Sequence, residues 1–287
     1  MLFHRQTSRK KNLFRSLPSL EFLEARLVPA GEFSLHSLPG ASKRIFLDFD
    51  GHTTSGTQWN IDYNRSVIVT TPYTIDSDTS ANFSSQELTN IREIWERVKE
   101  DFLPFNIDVT TEDPGLAGLT KSGSTDTDWG VRVCVGGDQF VGFLGVTGVA
   151  YLDSFYSSLR SIDTPVFTFT NEWIKIGYPA GYAAGTALTI SHEVGHALGL
   201  NHDGQGSQEY YGGHGSGVTG WGPIMGNPDK NLTQWSKGEY NGATNIEDDL
   251  AIITNLATNG FGYRNDDYGS SISTASNLSI QNSTTIN

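Results

Sequence analysis

The sequence predicts an α/β (α+β) fold, and three observations favour this class. Short apolar segments rich in β-branched and aromatic residues are spread over the first 170 positions. Two long stretches instead follow the 3.6-residue period of a helix. From residue 204 to 227 a glycine-rich stretch breaks both patterns, which indicates an irregular C-terminal part. The length of 287 residues suits one large domain or two smaller ones.

The strands are expected where apolar residues run between turn-forming residues. The first follows a stretch rich in glycine, serine and proline, and the others recur on both sides of the first helical pattern. The expected strands are residues 44–49, 66–70, 105–111, 131–135, 148–152 and 166–170.

The first helix has a clear start and a clear end. Ser84 and Glu87 have the spacing of a capping box, and Pro104 marks the end. Between them the apolar residues recur at alternating spacings of three and four: Leu88, Ile91, Trp95, Val98 and Phe102. This pattern predicts an amphipathic helix with one buried face.

The second helix should begin near Tyr182 and be buried, because it is apolar on most faces. Burying His192, Glu193 and His196 on such a helix would be costly without a metal or polar partners. A last helix is expected from a second capping box, Thr244 to Glu247, and should end at residues 259–260.

The ends of the chain differ in composition from its middle. Residues 1–30 hold six basic and two acidic side chains, whereas the whole chain carries a net charge of −13. We therefore predict a basic leader and linker over 1–40, one main domain over 41–265, and a polar tail over 266–287. The tail resembles the start of a bacterial pre-peptidase-type β-sandwich module, so it is a possible beginning of a truncated C-terminal module.

Composition also limits the partners. The chain after residue 30 is acidic, which argues against a nucleic acid as partner, because a protein that binds phosphate groups needs a basic surface. No run of 18 apolar residues is present, so no transmembrane segment is expected. Cys134 is the only cysteine, which excludes an intramolecular disulfide, and its apolar surroundings predict a buried thiol. The sequence leaves the oligomeric state open.

The most informative motif lies on the second helix. His192 and His196, four positions apart, point about 40° from each other around a helix and can share a metal ion. Gly199 allows the chain to turn with positive φ, so that His202 can return as a third ligand. Glu193 lies about 100° round the helix from His192, near enough to reach a water on the metal.

These residue types suit hydrolysis assisted by Zn²⁺. Three neutral imidazoles leave the ion its charge and a fourth position for a water, whose pKa falls to about 7. Glu193 would act as general base and proton shuttle. Ca²⁺ is a further possible cofactor, on Asp48, Asp50, Asp76 and Asp78, although these have no EF-hand spacing.

The motif resembles that of the metzincin zinc endopeptidases, HExxHxxGxxH followed by a methionine turn. Met225 is the turn candidate, and Asp203 matches the acidic residue that follows the third histidine in one branch of that family. Asn227 stands where many relatives have a tyrosine, so a tyrosine ligand at that position is not expected. The resemblance covers about residues 41–265, and its specific part is 192–226.

This resemblance implies a fold and an activity. The fold would be a twisted mixed β-sheet with two long helices above an irregular C-terminal subdomain that holds the Met-turn and a terminal helix. The activity would be the hydrolysis of peptide bonds, with the substrate extended along an edge strand near residues 148–153. Met225 would form the floor beneath the ligands, and Asp203 would orient the turn or the ligands.

Two other functions remain open. A non-peptide zinc amidohydrolase would use the same metal and base, and a catalytically silent extracellular binding module would keep the fold alone. Glu193 argues against the silent module, which has no need for a carboxylate beside a metal ligand. Residues 20–30 resemble the leader of many large extracellular planctomycete proteins, which predicts a secreted or cell-surface protein. The alternative is a disordered basic leader.

Overall fold

The structure of the protein is a computed structural model that describes residues 31–76, 78, 82–157, 164–265, 271 and 273. The expected leader over 1–30 and most of the tail over 266–287 lie outside the described residues. The described part is a mixed α/β structure, so the general α/β (α+β) class is confirmed. No helix within it is long and apolar enough to cross a membrane.

The described residues form nine strands and five α-helices. The strands are β1 (Lys43–Asp48), β2 (His52–Thr54), β3 (Ile68–Thr70), β4 (Asp108–Thr110), β5 (Trp129–Val135), β6 (Gly148–Val149), β7 (Val166–Thr168), β8 (Trp221–Pro223) and β9 (Leu232–Gln234). The helices are α1 (Gln58–Asp62), α2 (Ser85–Phe102), α3 (Thr170–Lys175), α4 (Ala183–Ala197) and α5 (Asp249–Ile253).

The central sheet has five strands in the order β4-β1-β5-β7-β6. Strands β4, β1, β5 and β7 run parallel to one another, and β6 runs antiparallel to β7 at one edge. Strands β2 and β3 pair with each other in a separate ladder, as do β8 and β9. The sheet is therefore mixed but mostly parallel.

The two long helices build one core with the sheet. Helix α2 begins at the expected capping box, in which the Glu87 amide donates to the Ser84 hydroxyl and the Ser84 amide donates to the Glu87 carboxylate. Its apolar face packs with α4 and with inward side chains of the strands. The cluster includes Ile45, Leu47, Ile91, Trp95, Val98, Phe102, Val133, Val135, Ile190 and Val194. A second cluster contains Cys134, which is fully buried as expected, together with Trp59, Phe140, Phe167 and Phe169.

Three expectations about elements are wrong. The strand expected over 148–152 ends at Val149, because the next backbone turns to donate to the last carbonyls of α4, from Asp153 to His196 and from Phe155 to Ala197. The strand expected over 166–170 ends at Thr168, and α3 follows. The capping box at Thr244 does not form. Glu247 instead accepts hydrogen bonds from Asn201. Helix α5 begins later, with Asp248 as its N-cap, and it ends at Ile253 rather than at residues 259–260.

The segment expected as a linker packs against the domain. We call residues 31–38 the N-terminal strap. Asp108 on β4 accepts hydrogen bonds from the backbone amides of Ser37 and Leu38 and contacts His36 Nδ1 at 2.6 Å. Leu35 is buried in the main core. The strap is therefore packed against the domain and is not a free linker.

Candidate metal centre

Helix α4 and the turn after it bring the three motif histidines together. His192 and His196 lie on successive turns of α4, and Gly199 follows with φ +104°. A Cβ at Gly199 would lie 2.6 Å from Asp153 Oδ1, so both space and conformation favour glycine. The chain then returns His202 to the helix, and one ring nitrogen from each histidine lies within 4.8 Å of the other two.

The second ring nitrogen of each histidine has an acceptor. His192 Nδ1 lies 2.9 Å from Ile224 O, His196 Nδ1 lies 2.7 Å from Leu200 O, and His202 Nδ1 lies 2.8 Å from Glu209 Oε1. Because carbonyl and carboxylate oxygens only accept, these partners assign the proton of each neutral ring to Nδ1.

The Nε2 lone pairs are therefore directed into one space. Nε2 of His196 and Nε2 of His202 are only 2.9 Å apart, and two lone pairs at that distance repel each other unless a cation lies between them. Three imidazole nitrogens, each held by a second partner, are the donor set of a catalytic zinc site. The residues present thus fit Zn²⁺.

The electrostatics favour the neutral form that binds metal. Burial, with smaller contributions from His196 and His202, lowers the pKa of His192 to about 3. Burial also lowers the pKa of His196. Both rings are therefore uncharged at neutral pH and need lose no proton on binding a cation.

Glu193 lies beside the histidines, between α4 and β6. It is 8% exposed, and burial raises the pKa of its carboxyl to about 8. A cation on the three histidines would oppose that rise, because a nearby positive charge favours the carboxylate. Gly148 on β6 leaves space for this side chain: a Cβ there would lie 2.6 Å from Glu193 Cγ and 2.9 Å from Oε1.

Met225 packs against α4, and Asp203 contacts Met225. Met225 is fully buried, and a Cβ at Gly195 would lie 2.5 Å from its sulfur, so the turn packs closely against α4. The Asp203 amide donates to Met225 O, while its carboxyl is buried with Oδ2 unpaired, and burial raises the pKa of that carboxyl to about 6. Asp203 thus contacts the turn through its backbone, whereas the carboxylate that contacts a ligand is that of Glu209.

Sequence reasoning missed two residues of the loop between His202 and Met225. Glu209 holds His202, and the ring centroid of Tyr210 lies 4.3 Å from that of His202 and 6.2 Å from that of His192. The only signal in the sequence is a glutamate followed by an aromatic residue within a glycine-rich stretch, which has no fixed offset from the motif.

The aspartates considered for Ca²⁺ do not form a comparable group. Asp48 is buried and paired with Arg132, and burial raises the pKa of its carboxyl to about 7. Among the described residues the three histidines are the one group of three or more convergent histidine, cysteine or carboxylate ligands.

A cleft of about 750 Å³ opens beside the histidines. Its lining includes His192, Glu193, Tyr210 and Gly148 on β6. Three packed aromatic rings also line it: Trp173, Tyr178 and Tyr182. The site is thus wide enough for a ligand with extended backbone and bulky side chains.

No family model matches this sequence, and no curated protein matches it.

Proposed function

We propose that this protein is a zinc-dependent endopeptidase of metzincin type. One observation carries the proposal: three histidine nitrogens converge beside a buried glutamate at the wall of a large cleft. Such an arrangement would combine a metal ion with an acid-base group in a cleft that a polypeptide substrate could enter.

The donor set supports Zn²⁺ as the ion. Three nitrogen ligands with hydrogen-bonded second nitrogens suit zinc, whereas Ca²⁺ and Mg²⁺ prefer oxygen ligands. When bound, zinc lowers the pKa of a coordinated water to about 7 and polarises a substrate carbonyl. The histidines of this chain would hold the ion and leave a position open towards the cleft.

Glu193 would move the proton. Its carboxylate accepts a proton from the water that attacks the scissile carbonyl carbon. It then donates that proton to the departing amine nitrogen, which completes the cleavage of the C–N bond. Burial favours the protonated carboxyl, and so helps Glu193 to hold the proton between these two steps.

The neighbouring strand supports a peptide as substrate. Strand β6 is at the edge of the sheet and lines the cleft through Gly148. An extended peptide can pair with such an edge by backbone hydrogen bonds. Export to the cell surface or medium is part of the proposal, and it rests on the resemblance of the leader and on the acidic body after residue 30.

The test combines metal analysis with a cleavage-site profile on a denatured proteome. Protein purified without added metal should hold about one zinc per chain, and a chelator should abolish peptide cleavage that zinc then restores. Cleavage of small non-peptide amides alone would favour the amidohydrolase. Bound zinc with no cleavage of any substrate would favour the binding module.

A further inference from the structure

Among the described residues, Tyr210 is the one residue beyond the motif whose ring contacts two of the three histidines. Its ring centroid lies 4.3 Å from that of His202 and 6.2 Å from that of His192. The side chain is 41% exposed and lines the same cleft as Glu193. A phenol therefore stands at the cleft wall beside the place where the metal ligands meet.

The backbone on both sides of Tyr210 is fixed. The Tyr211 amide donates to Asp203 O at 2.7 Å, and the Asn227 amide donates to Tyr211 O at 3.0 Å. On the other side, Gln205 and Gln208 exchange two backbone hydrogen bonds. The carboxylate of the adjacent Glu209 is hydrogen-bonded to His202 Nδ1. The loop thus positions Tyr210 from both ends, as expected for a group that acts on a bound molecule.

A hydrogen-bond donor at this place would add to the charge stabilisation that a metal ion supplies. As water adds to a peptide carbonyl, the carbonyl oxygen gains negative charge, and a hydrogen-bond donor held in advance beside that oxygen lowers the barrier. Glu193 in its carboxylate form only accepts, and the Nδ1 protons of the histidines are already donated to Ile224, Leu200 and Glu209. The Tyr210 hydroxyl is the donor at the end of a ring already packed on the ligands.

We propose that Tyr210 is a catalytic residue whose hydroxyl donates a hydrogen bond to the carbonyl oxygen of the scissile peptide as that oxygen becomes an oxyanion. The proton stays on the phenol, and no bond to Tyr210 is made or broken. This inference rests on the proposed peptidase function.

The test is Tyr210→Phe, which removes the hydroxyl and keeps the ring on His202. We expect kcat to fall by about 10²–10³-fold, as for the loss of one oxyanion donor, with KM nearly unchanged. A phosphinate peptide, which imitates the tetrahedral oxyanion, should bind more weakly by a similar factor in calorimetry. The cleavage product should bind equally to both proteins, and zinc affinity measured by chelator competition should not change.

Tyr211→Phe is the matched control. It removes the hydroxyl of the neighbouring tyrosine, which is buried and bonded to His214 Nδ1 at 2.9 Å, and it should leave kcat and phosphinate affinity unchanged. Equal kcat and phosphinate affinity in Tyr210→Phe and wild type would overturn the inference. A parallel loss of zinc affinity would also overturn it, by making Tyr210 a metal-holding residue. Wild-type protein that neither cleaves peptides nor binds the phosphinate would instead refute the proposed function itself, and this inference with it.

Discussion

Gly148→Ala tests whether the edge strand fixes the position of Glu193. A Cβ at Gly148 would lie 2.5 Å from Thr189 Cγ2 and 2.6 Å from Glu193 Cγ. Carbon atoms in ordinary contact are about 3.5–4.0 Å apart, so the neighbouring side chains must move by about 1 Å. Both residues are anchored on α4, which is packed in the core, so their side chains are displaced rather than the helix, and that of Glu193 leaves its position.

A displacement of about 1 Å at a reacting group costs about 10²-fold in rate. We therefore expect kcat for peptide cleavage to fall by about that factor in Gly148→Ala, with about one zinc per chain retained. Overpacking should also cost about 1–3 kcal/mol in the free energy of unfolding. Steady-state kinetics, metal analysis and denaturant unfolding measure the three quantities on one preparation.

Two further variants separate this mechanism from a general loss of fold. Gly123→Ala adds a methyl group where no atom lies within 4 Å, and it should change nothing. Adding Thr189→Ser to Gly148→Ala removes one of the two close carbons and keeps the hydroxyl that contacts Thr147, so part of the lost kcat should return. Wild-type kcat in the folded Gly148→Ala protein would refute the argument that the placement of Glu193 limits the rate.

Two more predictions follow from hydrogen bonds of histidines. Glu209→Gln weakens the contact to His202 Nδ1 and should lower zinc affinity by about 10–100-fold in chelator competition, while unchanged affinity would remove Glu209 from the site. Burial lowers the pKa of His36, but hydrogen bonds to Asp108 and Glu112 outweigh burial and raise it above the ordinary 6.5. Protonated His36 therefore stabilises the fold. This stabilisation is complete below the pKa that His36 has in the unfolded chain, and it is lost as pH rises through the pKa of His36 in the folded protein. His36→Gln should therefore lower Tm more at about pH 5.5 than at about pH 9. An equal loss of Tm at both pH values would contradict this contribution of His36 to the stability of the strap.

The sequence predicted those elements that local pattern determines. The capping box and apolar spacing of α2 predicted its start and end, because both depend on residues within four positions of each other. The turn at Gly199 was predicted for the same reason, since positive φ favours glycine.

The rest depended on contacts that are distant along the chain. Glu247 had the spacing of a capping residue, but Asn201, 46 positions earlier, binds its carboxylate. The N-terminal strap belongs to a stretch, residues 31–42, whose glycine, serine and proline residues are typical of a linker, yet Asp108 holds its amides across 71 and 70 positions. Glu209 and Tyr210 were missed because only the fold of the glycine-rich loop brings them to His202.

Comparing zinc-loaded wild-type protein with Glu193→Ala tests the central claim most directly. The substitution removes the proposed proton shuttle and none of the three histidines, so both proteins should hold about one zinc per chain. Stability should change little, because burying this carboxyl is itself unfavourable. Peptide cleavage by Glu193→Ala should fall by at least about 10²–10⁴-fold. Near-wild-type cleavage by the zinc-loaded variant would contradict the account.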